Sequence, residues 1–399
     1  MNRFLASTLL SATVLAATTG SALADDGGWT FDGPFPAWSG RDSTDSFAFR
    51  GRVYIDAADI EYDSAGTETA YSGREFRTAR LGVTGSVSGV GYVAEFDFAG
   101  GKIAANDVYL GFDLGRADLR VGHMKTPNAL EEQTSSRYIT FMERGTGTDL
   151  FGLDRRVGAV LSHGGERHSL SAGVFGGRPG DLSETAELDD TSALAARATW
   201  APAVGEALTV HLGVSVRHLD YGSAGVRLGV RPQAHIPARV VAADYRAGAA
   251  LGEADSSAFL GVEAALVRGS VHAQAEWMRL ELDGPAGNPD FTSGYASLGW
   301  FATGETRSYS GSSGKFGRTR PERTVTEGGT GAIELAVRYD RSDLESGGAG
   351  VLTNWTAGVN WYLEDHVRIM ANYIAGTLNV AGGADIDVSG PQLRLQWDF

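Results

Sequence analysis

What is missing from this chain narrows its chemistry at once. None of its 399 residues is cysteine, so it has no disulfide framework and no thiolate nucleophile or ligand. Its eight histidines show no metal-ligand spacing, and no G-x-S-x-G or comparable nucleophile motif occurs. The sequence therefore gives no reason to expect a metal, a cofactor or a catalytic centre. Beyond residue 24 no apolar run reaches the length of a membrane-crossing helix. Lysine is nearly absent: of 34 basic side chains only Lys102, Lys125 and Lys315 are lysines, and the rest are arginines. Arginine stays charged in partly dry sites and grips oxyanions through paired N–H donors, although a GC-rich genome would favour it too. The formal net charge of −15 argues against nucleic acid as a partner. It says less about a pore, which responds to the charges lining it rather than to the total.

The two ends carry the clearest signals. Arg3 followed by the apolar stretch 4–17 and Ala22-Leu23-Ala24 reads as a secretory signal peptide with an A-x-A cleavage site, so residues 1–24 are set aside. Residues 25–46, rich in Gly, Pro and Trp without a period, read as a periplasmic lead-in, and 47–399 as one transmembrane unit. At the other end Leu393, Leu395, Trp397 and Phe399 fall on alternate positions, with Arg394, Gln396 and Asp398 between them. Successive strand side chains point to opposite faces, so this is a strand with one apolar and one polar face. A strand packed on a soluble core would look similar. A terminal Phe with an aromatic two residues earlier also looks like the sorting signal that the barrel-assembly machinery of bacterial outer membranes reads.

The same alternation recurs. Phe47, Phe49, Val53 and Ile55 oppose Arg50, Arg52, Tyr54 and Asp56, and Leu208, Val210, Leu212, Val214 and Val216 oppose Thr209, His211, Ser215 and Arg217. Such segments number sixteen: 47–60, 74–87, 90–98, 103–113, 117–124, 155–163, 167–176, 192–201, 206–219, 256–268, 270–283, 290–302, 330–342, 353–363, 365–378 and 387–399. The expected fold is all-β, a 16-stranded antiparallel transmembrane β-barrel with an inward-folded constriction loop, in the outer membrane of a Gram-negative bacterium. Mean hydropathy of only −0.14 fits, because lipid-facing and lumen-facing residues average out. Trp355 and Trp361 share an outward face roughly 20 Å apart, as aromatic girdles bordering an apolar band about 25 Å tall require. The count is open by about two strands between 220 and 330. There, either 231–250 hides a strand or 303–329 is a long connection where a short turn belongs.

Several stretches resemble the phosphate-selective porin O and P family of trimeric outer-membrane channels. They are Gly358-Val359-Asn360-Trp361-Tyr362-Leu363 running into Val367-Arg368-Ile369-Met370-Ala371-Asn372-Tyr373, Gly294-Tyr295 through Thr303-Gly304-Glu305-Thr306-Arg307-Ser308-Tyr309 with Phe316-Gly317-Arg318, Leu260-Gly261-Val262-Glu263, and Gly122-His123-Met124-Lys125 followed by Ser135-Ser136-Arg137 and Phe141-Met142-Glu143-Arg144. The resemblance implies a homotrimer in outer-membrane lipid and a long loop, here 125–154, folded into each lumen. It makes Lys125 and Arg137 candidates for a central anion site, which Arg144, the third base of the loop, joins. Glu131 and Glu132 are expected on the solvated face of the loop, since at the eyelet they would cancel the field. The resemblance also implies basic side chains down the wall, and alternation turns Arg50, Arg52, Arg120, Arg197, Arg217, Arg338, Arg368 and Arg394 inward. The family's strongly phosphate-selective members are richer in lysine than this chain.

Three functional readings follow. The first is a water-filled channel for small anions, phosphate or other oxyanions foremost. The second is a general diffusion porin, in which these arginines pair with the lumen acids Asp56, Glu95, Asp97, Asp107, Glu263, Glu276 and Glu334 in opposed rows. The third is a plugged structural or adhesion barrel. An enzyme built on His211 and Ser215, and a divalent-cation site on Asp59, Glu61 and Asp63, are weaker readings than a polar wall and a solvated acidic loop.

Overall fold

The computed structural model describes residues 27–31, 35–41, 44–178, 190–205, 207–239, 241–285 and 287–399. The expected signal peptide lies outside the described residues, as does part of connection 177–191.

Alternating side chains produce sixteen antiparallel strands: β1 Ser46–Ser64, β2 Thr67–Val87, β3 Val90–Asp97, β4 Ala104–Asp113, β5 Asp118–Lys125, β6 Arg155–Gly165, β7 His168–Phe175, β8 Ser192–Ala203, β9 Thr209–Asp220, β10 Ser256–Arg268, β11 Val271–Asp283, β12 Asp290–Phe301, β13 Ala332–Asp343, β14 Val351–Glu364, β15 Val367–Asn379 and β16 Ile386–Asp398. Each pairs with the next, and β16 returns to β1 in a register running from Ile386↔Ser64 to Asp398↔Arg52. The sheet closes, so every backbone ladder is satisfied inside the wall, as lipid demands. All sixteen expected strands are present. The uncertainty between 220 and 330 resolves as well. Val226–Val230 and Val241–Tyr245 form a separate hairpin, and 231–250 holds no barrel strand.

Short turns gather at the end that carries both chain ends of the barrel, which is the periplasmic side. Ser88 and Gly89 make a two-residue turn there, both with positive φ (50° and 81°), the backbone form whose twist matches the flanking strands. Exposed Trp200, Trp300, Trp361 and Trp397 ring this end, and exposed Trp277, Tyr339, Trp355 and Tyr373 lie toward the long-loop end. These are the two aromatic girdles.

Three long connections turn inward. Residues 126–154 enter the lumen with two short helices, α1 Leu130–Gln133 and α2 Thr146–Phe151. The hairpin of 221–255 buries Leu228, Val230, Ala243 and Tyr245 against Phe151, Phe291, Leu352 and Leu378. Residues 302–331 leave the periplasmic end of β12 and fold back up the barrel through a small hairpin, Tyr309–Ser310 with Lys315–Phe316. Phe316 packs with Leu130, Ala265 and Val267, and its N–H donates to Thr134 Oγ1 at 3.4 Å. Segments from opposite mouths therefore meet inside the lumen.

The lead-in carries two three-residue strands: Gly28–Thr30 pairs with Ala37–Ser39, which in turn pairs with β1 at Trp38↔Phe47. The Phe35 ring lies 4.2 Å from that of Phe399, which stacks 5.1 Å from Trp397. Phe399 also exchanges both backbone hydrogen bonds with Gly51, at 2.9 and 3.1 Å. Deleting Phe399 removes this last rung together with its ring. The heat-modifiable folded band in outer-membrane fractions should then fall several-fold, while the conductance of the molecules that do assemble stays the same. Full surface assembly of the truncated protein would reduce Phe399 to ordinary strand packing.

Candidate functional site: a basic constriction

One side of the barrel concentrates arginine. β1 turns Arg50 and Arg52 inward and β16 turns Arg394. On β2 a bulge sits where Tyr54 pairs with Thr78 and Ile55 with Phe76, and the skipped residue, Arg77, joins Thr78 and Arg80 at the lumen. β5 adds Arg120 and Lys125, the start of β6 adds Arg155, the 126–154 loop adds Arg144, and the periplasmic segment adds Lys315. Together they surround a cavity of about 210 Å³ lined by ten basic and three acidic side chains, Asp107, Glu143 and Asp149. Tyr54, Thr78, Tyr109, Ser135 and Ser136 share the lining.

Most of these cations are held by carboxylates. Arg155 Nε lies 2.7 Å from Asp107, Arg80 Nε 2.8 Å from Asp97, and Arg77 Nε 2.9 Å from Glu143. Arg394 reaches Asp56 at 2.7 Å and Glu143 at 2.8 Å. Arg120 lies over the Tyr109 ring at 5.7 Å and, among the described residues, has no carboxylate at ion-pair distance. Burial alone would raise the Glu143 carboxyl, but Arg77 and Arg394 hold it well below the usual range. Burial, and then Arg120 and Arg197, bring the Lys315 ammonium down to about 8.

The opposite wall carries acids, and the loop covers them. Glu131 N–H donates to Glu276 at 2.9 Å, Thr146 N–H to Asp340 at 2.8 Å, and Gly145 N–H to Glu131 at 2.7 Å. Glu263 is held by Arg197 and His211, and Glu334 by His272 at 2.8 Å and Tyr362 at 2.7 Å. None of Glu263, Glu276, Glu334 and Asp340 lines the cavity. The opposed rows expected from the sequence are present only in part: Glu263, Glu276 and Glu334 lie covered on the far wall, whereas Asp56, Glu95, Asp97 and Asp107 stand among the arginines and pair with them.

The structure places the expected site residues differently from one another. Arg50, Arg52, Arg120, Lys125 and Arg144 share the cavity. Arg137 lies beside it, with Nη2 3.7 Å from Glu95. Arg217 and Arg338 turn inward but are covered by the loop. Arg217 donates to Phe151 O at 2.6 Å and lies over Phe259, and Arg338 donates to Glu143 O at 3.0 Å and lies over Phe141. Arg197 and Arg368 are likewise spent on Glu263 and on Ile139 O. The expectation that Glu131 and Glu132 face solvent is wrong. Both are buried, because that face of the loop lies against the wall. There Glu131 meets Arg338 at 3.5 Å, and Glu132 meets Lys125 at 3.4 Å and Arg144 at 3.7 Å. His211 engages Tyr309 and Glu263 rather than Ser215. No group able to hold a metal, at Asp59, Glu61 and Asp63 or elsewhere, occurs among the described residues. Alternation missed Arg77 because of the bulge, and Lys315 because 303–329 read as a gap.

Comparison with known proteins settles what kind of barrel this is. The family model described as phosphate-selective porin O and P matches residues 47–399. The chain belongs to that family. It is 27% identical over 332 residues to Porin O of Pseudomonas aeruginosa, covering 74% of this chain and 73% of the relative. Among solved structures it is similar to an anion-selective porin from Comamonas acidovorans (TM-score 0.55, 14% identity, 89% of this chain and all of that one). It is also similar to OmpT of Vibrio cholerae in a trimer form (TM-score 0.53, 13% identity, 90% of this chain and all of that one). The protein is a porin of the Gram-negative outer membrane.

Arg338→Ala would leave Glu131 buried without its cation, a loss of about 3–5 kcal/mol for a buried pair. The loop should loosen while the barrel survives. Limited proteolysis should cut faster within 126–154, and single-channel conductance should become larger and noisier. An unchanged conductance would show that Arg338 does not hold the loop.

Proposed function

We propose that this porin prefers small anions, oxyanions such as phosphate among them, and works as a homotrimer. One observation carries the preference: the cavity is lined by ten bases against three acids, while the acidic wall lies under the loop. Low-dielectric walls focus the field of such a lining, and a site of this kind draws anions in. Guanidinium donors with the hydroxyls of Ser135 and Ser136 suit an oxyanion. The family description and the Porin O relative support phosphate, and the OmpT trimer form supports three copies. A general diffusion pore is the second reading, favoured by the pairing of Arg77, Arg80, Arg155 and Arg394 with carboxylates. Chemical cross-linking in native membranes tests the trimer.

The reversal potential across a planar bilayer under a KCl gradient separates the two readings. The wild type should show the sign of anion preference. Arg120→Ala with Lys125→Ala should lower the anion-to-cation permeability ratio by about tenfold at 0.1 M salt. The effect should shrink at 1 M, where the screening length falls to about 3 Å. An unchanged ratio at low salt would remove these two residues from the selectivity site.

Lys315 adds a dependence on pH. It is charged below about 8 and loses its charge above. Anion preference should therefore fall as pH rises through 8, and Lys315→Gln should remove that part, while Asp149, whose carboxyl burial raises to about 7, adds a separate fall centred lower. A slope through pH 8 that persists in the variant would assign it to another group.

A further inference from the structure

Glu95, on β3, has no exposed surface and stands behind the cavity rather than in its lining. Its Oε1 accepts from Arg50 Nε at 3.1 Å and lies 3.4 Å from Arg52 Nη2 and 3.7 Å from Arg137 Nη2. Its Oε2 accepts from Asn106 and lies 3.9 Å from Arg80 Nη1. One carboxylate thus faces four guanidiniums from two strands and the loop. Three of these, Arg50, Arg52 and Arg80, line the cavity. For Arg52 and Arg137, Glu95 is the one carboxylate at ion-pair distance among the described residues. A purely structural ion pair would leave a neutral cluster. Here the acids Glu95, Asp97, Asp107 and Asp154 meet the five bases Arg50, Arg52, Arg80, Arg137 and Arg155, and the surplus is positive.

We propose that Glu95 is a specificity-determining residue of this channel: a fixed internal counter-anion that keeps the arginine fan weak enough to release the solute it attracts. The proposal rests on the anion-channel reading above. A channel must bind its ion well enough to admit it and loosely enough to let it go. Without Glu95, Arg52 and Arg137 would lose their one carboxylate and Arg50 and Arg80 would keep only Asp107 and Asp97. The fan would then form a deeper well for a multiply charged oxyanion, because the Coulomb energy of each pair adds in a site with little water. Glu95 competes for the same cations from behind. Being buried, it touches no solute and acts only through the arginines it faces. Asn106, donating from the far side, keeps the carboxylate turned toward them.

The experiment measures block of single-channel chloride current by inorganic phosphate at low salt. Glu95→Gln keeps the size and the hydrogen bond to Arg50 but removes the charge. The half-blocking phosphate concentration should fall by about tenfold, through longer blocking events rather than faster entry, and current carried by saturating phosphate should drop. An unchanged or raised half-blocking concentration would overturn the proposal. If Glu95→Gln does not assemble, the comparison is made between Arg80→Gln and Arg80→Gln/Glu95→Gln, where the excess charge is smaller. Tighter block in the double variant supports the proposal, and equal or weaker block overturns it. Failure of the underlying reading looks different, because the wild type itself would then show neither phosphate block nor anion preference.

Discussion

Everything in this structure depends on the closure of the sheet between β16 and β1. Inside a bilayer an unpaired backbone edge has no water to turn to, so a β-protein can cross only as a ring. Closure has two consequences for side chains. It makes the wall strictly two-faced, so apolar residues such as Leu393 and Leu395 meet lipid, while Arg394 and Gln396 between them must point into the ring. It also encloses those inward charges in a small space where each must find a counter-charge or water.

The chain resolves the second demand unevenly. Acids and bases are both abundant in the lumen, and a simple tube would show both to a passing ion. The 126–154 loop covers part of the acidic wall. Its backbone N–H groups at Glu131 and Thr146 bond the carboxylates of Glu276 and Asp340, and Arg338 neutralises Glu131 beneath it. The loop thus spends its donors on the acidic wall and leaves the arginines of β1, β2 and β5 facing open space. The charge that lines the cavity depends on what is covered as well as on what is present.

The strands were legible because period-2 alternation is imposed by the lipid–water boundary, and it holds except at bulges such as the one on β2. Alternation tells which face a side chain takes but not what later covers that face. Arg217 and Arg338 point inward as their positions require, yet Phe151 and Phe141 sit over or beside them. Arg77 was hidden because one extra residue opposite Tyr54 and Ile55 shifts the phase. Lys315 was hidden for another reason. A segment that folds back from the turn side has no periodic signal, and its place is fixed by contacts such as Phe316 with Leu130 that are distant in sequence. Glu131 and Glu132 read as solvated because at the eyelet they would cancel the field of the neighbouring bases. Their partners, Arg338, Lys125 and Arg144, could be assigned only in three dimensions.

The meeting of Phe316 with Leu130 makes the two inward segments mechanically interdependent. One is rooted at the cell surface and the other at the periplasm, yet each supplies the apolar cover of the other and they share the bond from Phe316 N–H to Thr134. Pulling either one away exposes a buried aromatic or aliphatic side chain to the water of the lumen. The two segments form an interlocked pair of fingers reaching in from the two compartments that the barrel separates.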